Sequence, residues 1–289
     1  ADPATWWGLR APSRASTPVR PPDEPVRLSA SALQGLITCP AQWFLQQEAG
    51  GTVVSSSAQG FGIIVHALAD RVAKGELTAG PELVDDLMVL VDDVWDRMSF
   101  RTPWSGGRER DAVREALARF VAWQSRPGAR THVASEGRIT ATVELPDGQE
   151  VRLIGYVDRL ELDDHGDVVV VDLKTGKYPP TDASLPTNPQ LGLYQLAVDH
   201  GAADEAVGRP VRSGGAELVQ LRHGTDLPKV QPQAPQAPDA DGVTVIEHQL
   251  MAAVRAVRDE DFPARAGDHC KRCAFHAVCP AQSSGSVLS

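Results

Sequence analysis

At 289 residues the chain is long enough for one sizeable domain or two small ones. A formal net charge of −10 excludes a surface basic throughout, of the kind that grips nucleic acid everywhere. No apolar run approaches the roughly 18 residues that span a bilayer, and the Ala-Asp-Pro start carries no signal-peptide layout. The expectation is a soluble intracellular piece of a longer polypeptide.

Residues 1–10 read as the end of an upstream region, because Trp6 and Trp7 need packing partners that the next stretch lacks. Residues 11–27, rich in Pro and Arg, read as a linker, which leaves 28–289 as the working unit. Ser29 and Ser31 before an apolar segment predict a short capped helix entering a Cys39-Pro40 turn. Helical periodicity follows over 59–74, with Ile63, Leu68 and Val72 as its apolar stripe, then over 82–98 and 109–125. Arg101, Arg108, Arg110, Arg114 and Arg119 read as a solvated helix face rather than a phosphate footprint.

The period then changes to two. Residues 136–145 alternate, Asp147-Gly148 signals a hairpin, and 149–162 and 167–173 are further strands joined by Asp-Asp-His-Gly. A helix is expected over 188–200, a strand over 215–223 and a helix over about 243–257. Between the last two, PKVQPQAPQAPDADG reads as a low-complexity mobile loop. This order predicts an α/β fold: a mixed central sheet flanked by helices, with a helical N-terminal part and a Cys-rich C-terminal tail.

The chemistry gathers on the later strands. Asp172 and Lys174 follow a run of four valines and, one residue apart, share a strand face. Asp158 ends a stretch containing Leu153, Ile154 and Val157. Carboxylates at the ends of buried strands are costly unless paired or metal-bound. Salt bridges, Asp158 with Arg159 or Asp172 with Lys174, are the plain alternative, although strand neighbours point apart. Carboxylate oxygens select hard divalent cations such as Mg²⁺. Two carboxylates with a lysine facing phosphate or water suit metal-dependent phosphodiester hydrolysis. His66 alone reads as a satisfied, partly buried histidine. Cys39 and the C-x2-C-x5-C set Cys270, Cys273 and Cys279 read as one site, since disulfides do not fit an intracellular chain. Four thiolates suit either zinc or an iron–sulfur cluster.

Gly155-x-x-Asp158, Val-Val-Asp172-Leu-Lys174-Thr-Gly and Gln190-x-x-x-Tyr194 together resemble the RecB-type branch of the PD-(D/E)xK nucleases, over most of residues 28–282. The resemblance implies a restriction-endonuclease-like core. In it Asp158, Asp172 and the backbone carbonyl of Leu173 would bind Mg²⁺ or Mn²⁺, and Lys174 would be the catalytic lysine. Gln190 and Tyr194 would face the substrate from one side of a helix. Gly60-Phe-Gly62-x-x-x-His66 is similar to the family's amino-terminal helix motif, whose histidine reaches the metal; Asp70 then either orients it or is simply solvated. Glu136 stands where the family often carries an acid and reads equally well as a surface glutamate.

One upstream cysteine joined to a C-x2-C-x5-C tail resembles the iron-stapled members, the AddB/AdnB-type helicase-nuclease subunits and the CRISPR adaptation exonucleases. That implies a [4Fe–4S] cluster on Cys39, Cys270, Cys273 and Cys279, with His269 and His276 flanking it. The function expected from the resemblance is the DNA nuclease module of a bacterial helicase-nuclease that processes double-strand breaks, acting on single-stranded ends. A helicase domain upstream in the same polypeptide and a second helicase-nuclease subunit would be its partners, in the cytoplasm at the nucleoid. A free-standing CRISPR-type exonuclease and a catalytically silent DNA-end-binding scaffold are the alternatives.

Overall fold

Four consecutive valines make a strand that is apolar on both faces, and such a strand belongs inside a covered sheet. The computed structural model, which describes residues 16–51, 57–77, 80, 82–95 and 102–282, places that strand there. The strands are β1 (Val26–Leu28), β2 (Thr131–Glu144), β3 (Glu150–Leu162), β4 (Val168–Lys174), β5 (Ser213–Gly224) and β6 (Pro228–Gln233). They form one mixed sheet of six strands in the order β1-β3-β4-β5-β6, with β2 beside β3. Strand β1 runs parallel to β3 and β4 parallel to β5, and the remaining pairings are antiparallel.

The helices are α1 (Ala30–Thr38), α2 (Pro40–Gln47), α3 (Ser57–Ala73), α4 (Leu83–Trp95), α5 (Pro103–Gln124), α6 (Pro189–Asp199), α7 (Asp204–Val207) and α8 (Val245–Arg258). Helices α1, α6 and α8 cover one face of the sheet, where Leu33, Leu191 and Leu250 meet Leu153, Val170 and Leu218. Helices α3, α4 and α5 cover the other, where Val65, Leu87 and Phe120 meet Val171, Leu173 and Val219. The α/β fold with a mixed, helix-flanked sheet and a Cys-rich tail stands as expected from the sequence. Among the described residues no helix is long and apolar enough to cross a membrane.

Local signals set the ends. Ser29 accepts from the Ala32 amide at 3.1 Å and caps α1, and Thr244 with Glu247 forms a capping box on α8. Gly148 takes φ 80° in the hairpin joining β2 to β3, the left-handed conformation that such a turn requires.

Four expectations are corrected. The described part of the stretch expected as a linker, residues 16–27, is docked instead: β1 begins in it at Val26, and Arg258 donates to Pro21 O at 2.5 Å. Three residues of strand carry too little pattern to register. The loop expected at PKVQPQ is β6, where alternate glutamines turn inward: Gln231 accepts from Gln220 at 2.9 Å and Gln233 accepts from Gln195 at 2.7 Å. Satisfied amides bury at little cost, and polarity alone concealed the strand. On α3 the buried stripe is Phe61, Val65, Leu68 and Val72, whereas Ile63 is 70% exposed. Arg110 and Arg114 of α5 do lie on a solvated face, paired with Asp92 and Asp85, whereas Arg119 is largely buried and donates to Thr225 O at 3.0 Å and Leu221 O at 3.1 Å as well as pairing with Glu115. Arg101, Trp6, Trp7 and residues 96–98 lie outside the described residues.

Beneath the α5 layer the sheet buries a charge network. Arg159 donates to Glu161 at 2.6 Å and to Gln124 at 3.1 Å, and Arg130 bridges Glu161, at 2.9 Å, to Glu217. Removing one member leaves the others buried and unpaired, which costs about 3 kcal/mol or more. Glu161→Ala is therefore expected to destabilise the fold by that amount in urea denaturation. A loss under about 1 kcal/mol would show that the network is dispensable.

Candidate active site

A strand has two edges, and β3 shares one of them between two partners. Strand β2 runs along one edge, while β1 takes Val151–Leu153 and β4 takes Arg159–Leu162 on the other. Between these partners, Ile154–Asp158 have no ladder on that side, so the sheet forks. Backbone groups freed at a fork need other partners, and side chains of the site supply them. The Leu173 amide donates to Asp158 Oδ2 at 2.6 Å, and the Tyr194 hydroxyl donates to Tyr156 O at 3.0 Å.

The fork holds Asp158 on one side and Asp172 on the other. Helix α3 brings His66 to Asp158, with Nδ1 3.1 Å from Oδ1. Strand β2 brings Glu136, whose Oε1 is 3.8 Å from the same nitrogen. Ligand atoms of His66, Glu136 and Asp158 all lie within 4.8 Å of one another. Burial works against the His66 imidazolium, but the hydrogen bond and charge of Asp158, with Asp172 and Glu136 behind it, outweigh burial and raise its pKa. Burial also pushes Glu136 up, reinforced by the Asp158 carboxylate.

Asp172 is 4% exposed. Its Oδ1 accepts from Gln190 Nε2 at 2.6 Å. Its Oδ2 lies 2.7 Å from Lys174 Nζ but makes no well-angled hydrogen bond to any described residue. Burial pushes its pKa up to about 6, against the pull of Lys174 and with the help of Asp158. A buried carboxylate oxygen short of a donor, near a second carboxylate and a histidine, fits a hard divalent cation. His66, Glu136 and Asp158 are the residues that offer it clustered ligands, and Asp172 interacts electrostatically with Asp158 and His66 across the fork.

Gln190 joins the acid to the base: besides Asp172 it accepts from Lys174 Nζ at 2.8 Å and donates to Tyr194 Oη at 3.1 Å. Asn188 caps α6 by accepting from the Gln190 and Leu191 amides, each at 3.1 Å, and so fixes where Gln190 stands. Gln190 is half-buried beside Lys174, and Tyr194 stands one helical turn further along the same face of α6. Tyr194 is 5% exposed, and both side chains are spent on the fork. The Asp158–Arg159 salt bridge is not formed, because Arg159 pairs with Glu161. Asp70 pairs with Lys74 at 2.7 Å and makes no recorded bond to His66, though it lines the same pocket with Glu136, Asp158 and Leu173. Leu173 meets the fork through its amide, which donates to Asp158 Oδ2.

Sequence reasoning gave Glu136 no clear role, because its approach depends on an irregular strand. Strand β2 shifts register between His132 and Ala134, and Glu136 has φ 49°. A left-handed glutamate is strained, and such strain gathers at functional sites. Two glycines permit the close packing. A Cβ at Gly155 would stand 3.2 Å from Tyr194 Cε1, and one at Gly62 3.2 Å from Thr175 Oγ1.

At the far end of the chain Cys39, Cys270, Cys273 and Cys279 line one pocket together with His269, Phe275 and His276. The Arg265 amide donates to Cys39 Sγ at 3.5 Å and the Gly267 amide to Cys270 Sγ at 3.4 Å. Phe262 stacks on Phe44 at 4.8 Å, which docks the tail on α2.

Residues 27–280 match the model of the PD-(D/E)XK nuclease superfamily. The chain belongs to that superfamily, whose members are metal-dependent nucleases. A comparison with curated proteins finds no match. Among solved structures, "Crystal structure of SSO0001" is similar at 14% identity and a TM-score of 0.42, over 90% of this chain and 88% of that one.

The raised pKa of Asp172 has a consequence for stability. A carboxyl raised above its unfolded value of about 3.9 favours the fold while protonated and disfavours it once ionised. Metal-free protein therefore loses this contribution as pH rises from about 4 through about 6. Asp172→Asn in EDTA should melt close to wild type near pH 4 and progressively above it towards pH 7.5. A difference that does not change between those pH values would contradict the assignment.

Proposed function

We propose that this chain is the nuclease module of a bacterial helicase-nuclease that processes DNA double-strand breaks, hydrolysing phosphodiester bonds of single-stranded DNA. The observation that carries the reading is the sheet fork, which sets the His66, Glu136 and Asp158 cluster on one side and the Asp172–Lys174 pair on the other. The resemblance to the RecB-type branch and the split cysteine set support the finer assignment.

His66, Asp158, Asp172 and the Leu173 carbonyl would hold Mg²⁺ or Mn²⁺, with Glu136 added to the set. A divalent cation bound there supplies Lewis-acid charge on the phosphate and lowers the pKa of nearby water. The protein's own groups do the rest. Lys174, about one-third exposed, is held by Gln190 at the mouth, where its ammonium offsets negative charge developing on the phosphate. Hydrolysis joins a water oxygen to phosphorus and breaks the bond to the leaving ribose oxygen. Gln190 keeps Asp172 and Lys174 in register, and Tyr194 holds the β3 backbone that carries Asp158.

The split set, one upstream cysteine and a C-x2-C-x5-C tail brought together in one pocket, supports a [4Fe–4S] cluster rather than zinc through its resemblance to the iron-stapled members. Amides donating to Cys39 and Cys270 suit thiolate ligands. Bonding Cys39 to the tail closes a loop of more than two hundred residues, worth about 5.5 kcal/mol on the chain-entropy model.

Labelled single-stranded DNA with Mn²⁺ tests the catalytic reading. Wild type should degrade it, and Asp172→Ala should be slower by about a thousandfold or more. Equal rates, or no degradation by either, would contradict it. Anaerobically prepared protein should be brown, and Cys273→Ala should lose the colour and melt lower while retaining its divalent-cation affinity. Colourless protein carrying stoichiometric zinc would overturn the cluster.

A further inference from the structure

Side chains alternate across a strand, so the neighbours of Asp158 on its own face are Tyr156, Ile154 and Arg152. The β2 residues opposite Tyr156, Ile154 and Arg152 are Arg138, Thr140 and Thr142. Strand β1 adds Arg27 beside Arg152. The apolar residues between them, Val151, Leu153, Val157, Ile139 and Ala141, are buried on the opposite face. Arg27, Arg138, Arg152 and Thr142 are exposed, and Tyr156 is 66% exposed.

On a chain of net charge −10, three arginines on one sheet face need an explanation. Unlike the arginines of α5, Arg27, Arg138 and Arg152 form no ion pair and no side-chain hydrogen bond with any described residue. Tyr156 is an exposed aromatic directly across from Arg138 and between Asp158 and Arg152 along β3, on a backbone fixed by the Tyr194 hydroxyl at 3.0 Å. From Asp158 to Arg152 the strand advances about 20 Å, comparable with the shorter single-strand sites on sheet-based binders, about 4 nucleotides. Exposed Glu144 and Glu150 at the hairpin end close the basic stretch.

Resting on the nuclease reading of the fork, we propose that this β1–β3–β2 face is the track along which single-stranded DNA reaches the site. Tyr156 stacks on a base next to the scissile phosphate. Arg138 and Arg152, with Arg27, hold the phosphates beyond it. The face reads no sequence, since a ring and guanidinium groups accept any base and any phosphate.

The test is fluorescence anisotropy of a labelled oligo-dT with the protein in EDTA, where binding is measured without cleavage. Tyr156→Ala should weaken binding about tenfold and Tyr156→Phe should leave it near wild type. Arg138→Ala combined with Arg152→Ala should weaken it and reduce the slope of log K against log salt by about 1.4. Arg255→Ala, an exposed position on α8, should change little. Unaltered melting temperatures will show that these exposed substitutions spare the fold. If the combined Arg138, Arg152 and Tyr156 variant binds as wild type does, or if wild type binds no oligo-dT, the track is refuted. The nuclease reading fails separately: a wild type that binds through these residues but does not cut with Mn²⁺ keeps the track and loses the nuclease.

Discussion

Everything in this structure turns on the fork in β3. One strand edge divided between β1 and β4 leaves a short stretch of backbone without a ladder, and the sheet opens there. An opening in a buried sheet is costly because its amides and carbonyls lose their partners. Here the groups that offset that cost belong to the site itself: Asp158 takes the Leu173 amide and Tyr194 serves the Tyr156 carbonyl. Structure and chemistry are therefore one arrangement. The residues that keep the fork open also place two carboxylates at its edges.

The same geometry explains why the site asks for a cation. Glu136, Asp158 and Asp172 converge against one histidine and one lysine, and Asp172 is buried with an oxygen that lacks a well-angled donor. Burial first, and the Asp158 charge after it, makes ionised Asp172 and Glu136 unfavourable in the isolated protein and raises their pKa values. A site that stores this repulsion gains most from binding opposite charge, which is how perturbed acids come to mark functional clefts. The buried Arg159–Glu161–Arg130–Glu217 network plays the opposite part. It satisfies its charges internally and anchors α5 so that the strained side of the sheet has a firm support.

How much of this could be read from the sequence depended on how local each signal was. Asp158, Asp172 and Lys174 were legible because charges at the ends of valine-rich runs break a rule that only pairing or metal repairs. His66 was legible only through the motif around it. Glu136 was obscure because its position follows from a bulge and a left-handed backbone, neither of which has a sequence signature at a glutamate. Gln190 and Tyr194 were correctly placed on one helix face, but helical spacing does not say whether that face meets solvent or a sheet. Strand β6 was missed because its buried side chains are glutamines, whose partners in β5 and α6 are distant in sequence. The sheet of the fold was otherwise visible in the alternation of β2 to β5, and β1 was too short to show a period.

The central claim is that the fork is a cation site built jointly by α3, β2, β3 and β4. Crystals soaked with Mn²⁺ and measured for anomalous scattering test it most directly. One or more peaks coordinated by Asp158 and Asp172 with His66 are expected. Manganese bound elsewhere, with those carboxylates still facing only Lys174 and Gln190, would contradict it.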